Sequence, residues 1–170
     1  MSNRILIFYG SYRSDRMGIR LAQFVVEGFA ARGDDVELID AKAIGLPMLE
    51  RMYKEYPKGG APAALEKLAE QIRTADGFVF VTGEYNWGIQ PGLKNLTDHF
   101  LEEWFWRPAA IASYSAGRFS GARAALAHLP LVQLIEPNKA AAMLGERLAK
   151  AGADPAATKA LLETAGNIAS

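Results

Sequence analysis

Tyr85-Asn86-Trp87-Gly88 sets two aromatic rings, a carboxamide and several main-chain N–H groups within four residues. The apolar run Phe78-Val79-Phe80-Val81 leads into it through Thr82, Gly83 and Glu84, and Pro91 opens the next element, where a missing N–H does no harm. Loops of this kind, at the carboxyl ends of parallel strands, are where open α/β sheets bind ligands. Rings, an amide and N–H groups suit a flat heteroaromatic ligand. They do not make a metal cage or an activated nucleophile. A second set lies near the start of the chain. The apolar run Ile5-Leu6-Ile7-Phe8-Tyr9 is followed by Gly10-Ser11-Tyr12-Arg13-Ser14-Asp15-Arg16-Met17-Gly18 and then by an amphipathic stretch. Strand, polar loop and helix start form a phosphate site, because the helix N-terminus carries unpaired N–H groups and a partial positive charge. Ser11 and Ser14 can donate hydroxyl hydrogen bonds, and Arg13 and Arg16 can form charge-assisted pairs with a phosphate. An ordinary βα turn with solvated arginines is the alternative reading of this second loop.

Other chemistries fit poorly. A dinucleotide fingerprint needs Gly-x-Gly-x-x-Gly after the first strand, and this loop has only Gly10 and Gly18. No glycine is followed by lysine, which removes the P-loop, and no tyrosine has a lysine four residues on. His99 and His128 stand far apart and make no metal motif, so no metal site is expected; His99 is expected on a helix surface or an interface. Ser115 lacks the Gly-x-Ser-x-Gly frame of a nucleophile elbow. No catalytic side chain stands out among these residues.

The elements that must position these loops alternate. Strands are expected over 4–9, 35–39, 77–82 and 109–114, and helices over 18–32, 62–74, 91–103 and from about 120. Leu21, Ala22, Val25, Val26 and Phe29 recur at three- and four-residue spacing, with Gly33 closing the helix. Such alternation predicts βαβ units and a parallel sheet in a single domain over 1–170. Residues 40–60 form a longer connection. The chain turns atypical from about 126: Pro130 is expected to interrupt 126–135, leaving 131–135 as a possible strand, with helical stretches over 137–150 and 155–168.

Taken together, the loops resemble the flavodoxin-like NAD(P)H-dependent FMN reductases, a family that includes quinone, azo and chromate reductases. The resemblance rests on Gly10-Ser11-x-Arg13-x-x-Arg16-x-Gly18, Glu84-Tyr85-Asn86-Trp87-Gly88, Leu93-Lys94-Asn95 with Asp98, and Glu103-Trp104. It continues through Pro108 to Ser115, Gly117 and the helix start at 120–124, covering roughly residues 5–125. It implies a flavodoxin-like three-layer sandwich: a central parallel sheet of four to five strands with helices on both faces. It implies FMN as cofactor, with NADPH or NADH as co-substrate. Ser11, Arg13, Arg16 and the N–H groups near Met17 and Gly18 would hold the phosphate. Glu84, Tyr85, Asn86 and Trp87 would line the ring system, and Ser115, Ala116 and Gly117 would meet its pyrimidine edge, with Arg118 a further cation there. Glu84 is expected to be structural. The implied reaction is ping-pong electron transfer to quinones, azo compounds, free flavin or a similar small acceptor. An electron carrier of the flavodoxin type, or a flavin-binding module without NAD(P)H turnover, is the alternative; the balanced charge and paired arginines speak against a carrier.

Composition bounds the partners. Half of the 170 residues are hydrophobic and 22% are charged, enough for a real core. Lys+Arg and Asp+Glu are both 19, so nothing points to nucleic acid or to an anionic membrane. Cysteine is absent, which excludes disulfides and thiolate chemistry. The chain enters a strand at once with no signal-like stretch, and a cytoplasmic enzyme is expected. Trp104, Phe105 and Trp106 form a dense aromatic run. Together with the family resemblance, it leads to the expectation of a homodimer or homotetramer with these rings at or near the contact.

Overall fold

The computed structural model describes residues 2–117 and 121–132, with side chains to 127. Its elements are strand β1 (Arg4–Tyr9), helix α1 (Ile19–Ala31), strand β2 (Asp35–Asp40), helix α2 (Ala41–Ile44), helix α3 (Ala63–Thr74), strand β3 (Gly77–Tyr85), strand β4 (Gly88–Ile89), helix α4 (Pro91–Asp98), strand β5 (Ala109–Tyr114) and helix α5 (Ala122–Val132). Four strands run parallel in the order β2-β1-β3-β5, and β4 folds back antiparallel on the end of β3. This is the doubly wound order in which the chain reverses direction between β1 and β3, so the switch-point crevice opens above their carboxyl ends.

Period-two alternation builds a core on each face of the sheet. Leu6, Phe8, Phe78 and Phe80 face α3 and α4, where Leu65, Leu68, Ile72, Leu93 and Leu96 meet them. Ile7, Tyr9, Val79 and Val81 face α1 through Ala22, with Leu21, Val25, Val26 and Phe29 packed around it. Helices on both faces of a parallel sheet make the expected three layers. Gly33 ends α1 at φ 85, and the bonds Gly33 N–H to Ala30 O and Asp34 N–H to Phe29 O form the paired C-terminal cap that such a left-handed residue permits.

Four expectations change. The helix expected over 91–103 stops at Asp98, and a 3₁₀ turn at Glu102–Trp104 follows. His99, expected at a surface, is 2% exposed, with Nδ1 2.8 Å from Asn95 O: a helix-end imidazole that satisfies a carbonyl is easier to bury than a solvated one. Trp104 is core, edge-on to Phe8 and Phe78 at 5.2 Å each, with Nε1 donating to Phe100 O at 3.1 Å. Its ring is therefore closed to any partner, while Phe105 and Trp106 lie nearer the surface. This run precedes β5 and lies at the amino ends of the strands, opposite the switch-point crevice. Finally, α5 continues through Pro130 to Val132, so Leu131 and Val132 are helical, not strand. A helix can tolerate the one main-chain bond that an internal proline forfeits. The stretches expected over 133–135, 137–150 and 155–168, and Arg118, lie outside the described residues.

Candidate functional site

All three expected loops emerge at the carboxyl edge of the sheet. The first leaves β1 at Gly10 and lies directly on the start of α4. A Cβ on Gly10 would stand 2.1 Å from that of Leu93, and one on Gly92 would stand 2.4 Å from Gly10 O. No other residue fits either position, so these glycines fix how low the loop can run. Ser11 is 2% exposed, and its hydroxyl meets the Tyr85 hydroxyl at 3.1 Å, tying the first loop to the second. Arg13 is exposed and pairs with Asp15 through Nε and Nη2, at 3.0 Å each. Arg16 is engaged elsewhere: its guanidinium holds Asp40 at 2.6 Å, donates to Ser11 O at 3.2 Å and lies over the Tyr9 ring. Met17 is exposed, and Gly18 caps α1 with no side chain on its first turn. The N–H groups of Arg16, Met17 and Gly18 meet no main-chain acceptor in the loop. An exposed guanidinium beside loop N–H groups that meet no main-chain acceptor, just ahead of a helix start, suits an anion by charge and geometry.

The second loop is a two-residue hairpin. Tyr85 pairs with Gly88 and Glu84 with Ile89, leaving Asn86 at φ 47 and Trp87 at φ 67. Two consecutive left-handed residues make a type I′ turn, whose twist matches the strands it joins. Asparagine tolerates that region. Tryptophan does not, and strain of about 1–2 kcal/mol at such a residue persists only where the surroundings enforce it. Trp87 remains 69% exposed, with the Arg123 guanidinium from the first turn of α5 3.4 Å from its ring centre. Two buried acceptors flank the turn without a partner among the described residues, Glu84 Oε2 and Gln90 Oε1.

The third loop, Ser115-Ala116-Gly117, follows β5. The register sets Tyr114 beside Gly83, so this loop opens next to Glu84 and Tyr85. The Gly117 N–H donates to Ser115 Oγ at 3.0 Å, folding the segment on itself.

Between the first two loops and the segment after α2 lies a cleft of about 350 Å³, walled by Tyr12, Arg13, Leu46, Met48, Tyr85 and Pro91. Asn95 straps that segment down: its Nδ2 donates to Pro47 O at 2.8 Å and its Oδ1 accepts from Leu49 N–H at 2.9 Å. Tyr12 donates to Ala41 O at 2.8 Å. With those polar groups satisfied, the cleft is an apolar slot with a cation, Arg13, at its rim. The expected residues Ser11, Arg13, Met17, Gly18, Glu84, Tyr85, Asn86, Trp87, Ser115, Ala116 and Gly117 thus share one edge of the molecule, with Arg16 bonded to Asp40 just behind them. Sequence reasoning missed Tyr12, Leu46, Gln90, Tyr114 and Arg123. Pattern offers no signal for most of them, though Tyr12 and Gln90 both stand inside stretches already marked as functional.

Comparison with known proteins gives the same picture. The profile of the NADPH-dependent FMN reductase family matches residues 3–157. An NAD(P)H-dependent FMN reductase of Pseudomonas aeruginosa is 36% identical over 126 residues, 71% of this chain and 64% of that protein. A quinone reductase of Escherichia coli is 46% identical over 68 residues, 38% of this chain and 36% of that protein. The chain therefore spans about two thirds or less of the curated relatives it matches. Among solved structures, the flavoenzyme FerB, an NAD(P)H:(acceptor) oxidoreductase from Paracoccus denitrificans, shares the fold. Its TM-score is 0.63 at 23% identity, covering 79% of this chain and 74% of that one. The chain belongs to the NADPH-dependent FMN reductase family.

Proposed function

We propose that this protein binds FMN and works as an NAD(P)H-dependent oxidoreductase, passing electrons to quinones or similar flat acceptors. The observation that carries the reading is the hairpin. A tryptophan held left-handed and exposed, at the carboxyl end of the central strand, is costly unless it serves a ligand. The rest of the edge fits FMN: a cation and loop N–H groups for the phosphate, and a flat apolar slot for the rings. The relatives named FMN reductase and quinone reductase support it as well.

When bound, FMN would supply the redox chemistry, accepting a hydride from NAD(P)H and yielding its electrons to the acceptor. The protein binds and orients. Ser11, Arg13 and the N–H groups of Arg16, Met17 and Gly18 receive the phosphate. Arg16 holds the loop against Asp40 and adds positive charge behind it. Tyr85, Asn86 and Trp87 would line the ring system, with main-chain N–H groups of the turn as donors to it, and Glu84 would support the turn. Ser115, Ala116 and Gly117 meet the pyrimidine edge, where the ring system carries its carbonyl and N–H groups. Flat donors and acceptors need an apolar wall more than specific bonds, so acceptor specificity is broad. The kinetic order is ping-pong. Steady-state rates at varied NAD(P)H and quinone are expected to give parallel double-reciprocal lines. Intersecting lines would reject this order, and a flavin inert to both nicotinamides would leave a carrier or a binding module instead.

A further inference from the structure

Tyr114 is where the three loops meet. It is the last residue of β5, and three glycines from three segments leave the space it fills. A Cβ on Gly18, at the start of α1, would stand 1.9 Å from Tyr114 Oη; one on Gly83, at the end of β3, would stand 2.8 Å from Cζ; one on Gly121, just before α5, would stand 2.7 Å from its main-chain N. The Tyr114 hydroxyl accepts from Gln90 Nε2 at 3.0 Å and donates to Tyr9 Oη at 3.4 Å. Burial pushes this phenol above its ordinary value, so it keeps its proton and its place as donor to Tyr9. Gln90, between β4 and α4, is 0% exposed, and Tyr9 carries the Arg16 guanidinium over its ring. A single chain of groups, buried Gln90 and Tyr9 with half-buried Tyr114 and Arg16, therefore runs beneath the hairpin, the loop at 115–117 and the loop at 11–18.

We propose that Gln90 and Tyr114 are positioning residues of the FMN site: their hydrogen bond sets the spacing of the phosphate loop, the hairpin and the loop after β5 without touching the cofactor. A buried carboxamide whose oxygen meets no partner among the described residues is expensive unless its other bond has a task. An apolar side chain at position 90 would fill the same space, yet would leave the Tyr114 hydroxyl free to turn. The inference rests on the reading of the site as an FMN site.

The test is FMN titration of the apoprotein of wild type, Gln90→Leu, Tyr114→Phe and the double variant, followed by fluorescence quenching. The visible circular dichroism of the bound flavin and the Tm of each apoprotein are recorded alongside. Tyr114→Phe keeps the ring that fills the space left by the glycines, so it carries the test if Gln90→Leu does not fold. The account expects each single variant to bind FMN about fivefold more weakly, with an altered flavin dichroism and little change in apoprotein Tm, and the double variant to lose no more than either single one. Unchanged affinity and dichroism in the variants, additive losses, or losses that follow Tm would overturn the positioning role alone. Failure of the wild type to bind FMN would overturn the site reading and this inference together.

Discussion

Arg13 and Arg16 look alike in the sequence and differ in the fold. Arg13 is at the rim, where its partner among the described residues is exposed Asp15, a pair it can exchange for a phosphate. Arg16 is bound to Asp40, which also caps α2 by accepting from the Lys42 N–H at 3.0 Å. Arg13→Ala is expected to weaken FMN binding by an amount that shrinks as ionic strength rises, with apoprotein stability unchanged. Arg16→Ala is expected to destabilise the apoprotein by about 1–3 kcal/mol, because it leaves a partly buried carboxylate uncompensated. FMN titrations at low and high salt, with urea unfolding of the apoproteins, check both. Tyrosines give a second residue-scale expectation. Tyr114 is raised by burial, Tyr53 chiefly by its bond to Glu66, and Tyr12 by burial and then Asp40. Below the ordinary tyrosine value of about 10, phenols are neutral in both states and stability does not depend on them. Above it, the unfolded chain ionises first, so stability falls as pH rises from about 10 toward the higher folded values. Tyr114→Phe is expected to flatten that alkaline loss, measured as Tm against pH; an unchanged slope would contradict the assignment.

At the scale of elements, the hairpin sets function against local stability. Trp87→Gly puts the residue that a type I′ turn prefers at its second position and removes strain of about 1 kcal/mol. Loss of the Arg123 stacking offsets part of that gain. The variant is expected to have an apoprotein Tm equal to or above wild type, and weaker FMN binding; lower stability would show that the indole is a packing residue. The elements themselves were largely legible in the sequence. Strands at 4–9 and 109–114 appear at the expected bounds, and α1, β2 and α3 within one residue, because period and glycine punctuation are local signals. β3 runs on to Tyr85, three residues past its expected end, since Gly83 pairs with Tyr114 of β5 and Glu84 and Tyr85 pair backward with Ile89 and Gly88, and two residues are too few to show a period. His99 and Trp104 were misjudged for a related reason. Helical spacing was extended through 99–103, where the chain instead turns inward and buries both rings. For the candidate site, the motifs marked loops that the fold brings to one edge of the sheet. What joins the loops, Tyr114 with Gln90 and Asn95 with Pro47, depends on contacts between residues distant in the chain and has no pattern to read.

For the whole molecule, the two ends of the sheet have separate tasks. The carboxyl edge carries the candidate site. The amino edge carries the aromatic anchor of Trp104 and, outside it, Phe105 and Trp106, the latter at φ 67. We propose that the protein is a homodimer or homotetramer, with Phe105 and Trp106 as the rings available to that contact. Trp106→Glu is expected to shift light scattering toward the monomer and, since this end lies away from the loops, to leave FMN affinity unchanged. A wild-type monomer at micromolar concentration would remove the proposal and leave these rings as edge packing. Among the described residues no helix is long and apolar enough to cross a membrane. The central claim is that the carboxyl edge of this sheet holds a flavin that NAD(P)H can reduce. The most direct measurement is the visible spectrum of the purified protein reconstituted with FMN, before and after anaerobic addition of NADH or NADPH. The account predicts a protein-bound flavin spectrum that either nicotinamide bleaches and an added quinone restores. A protein that retains no flavin on gel filtration, or a bound flavin that neither nicotinamide bleaches, would contradict it.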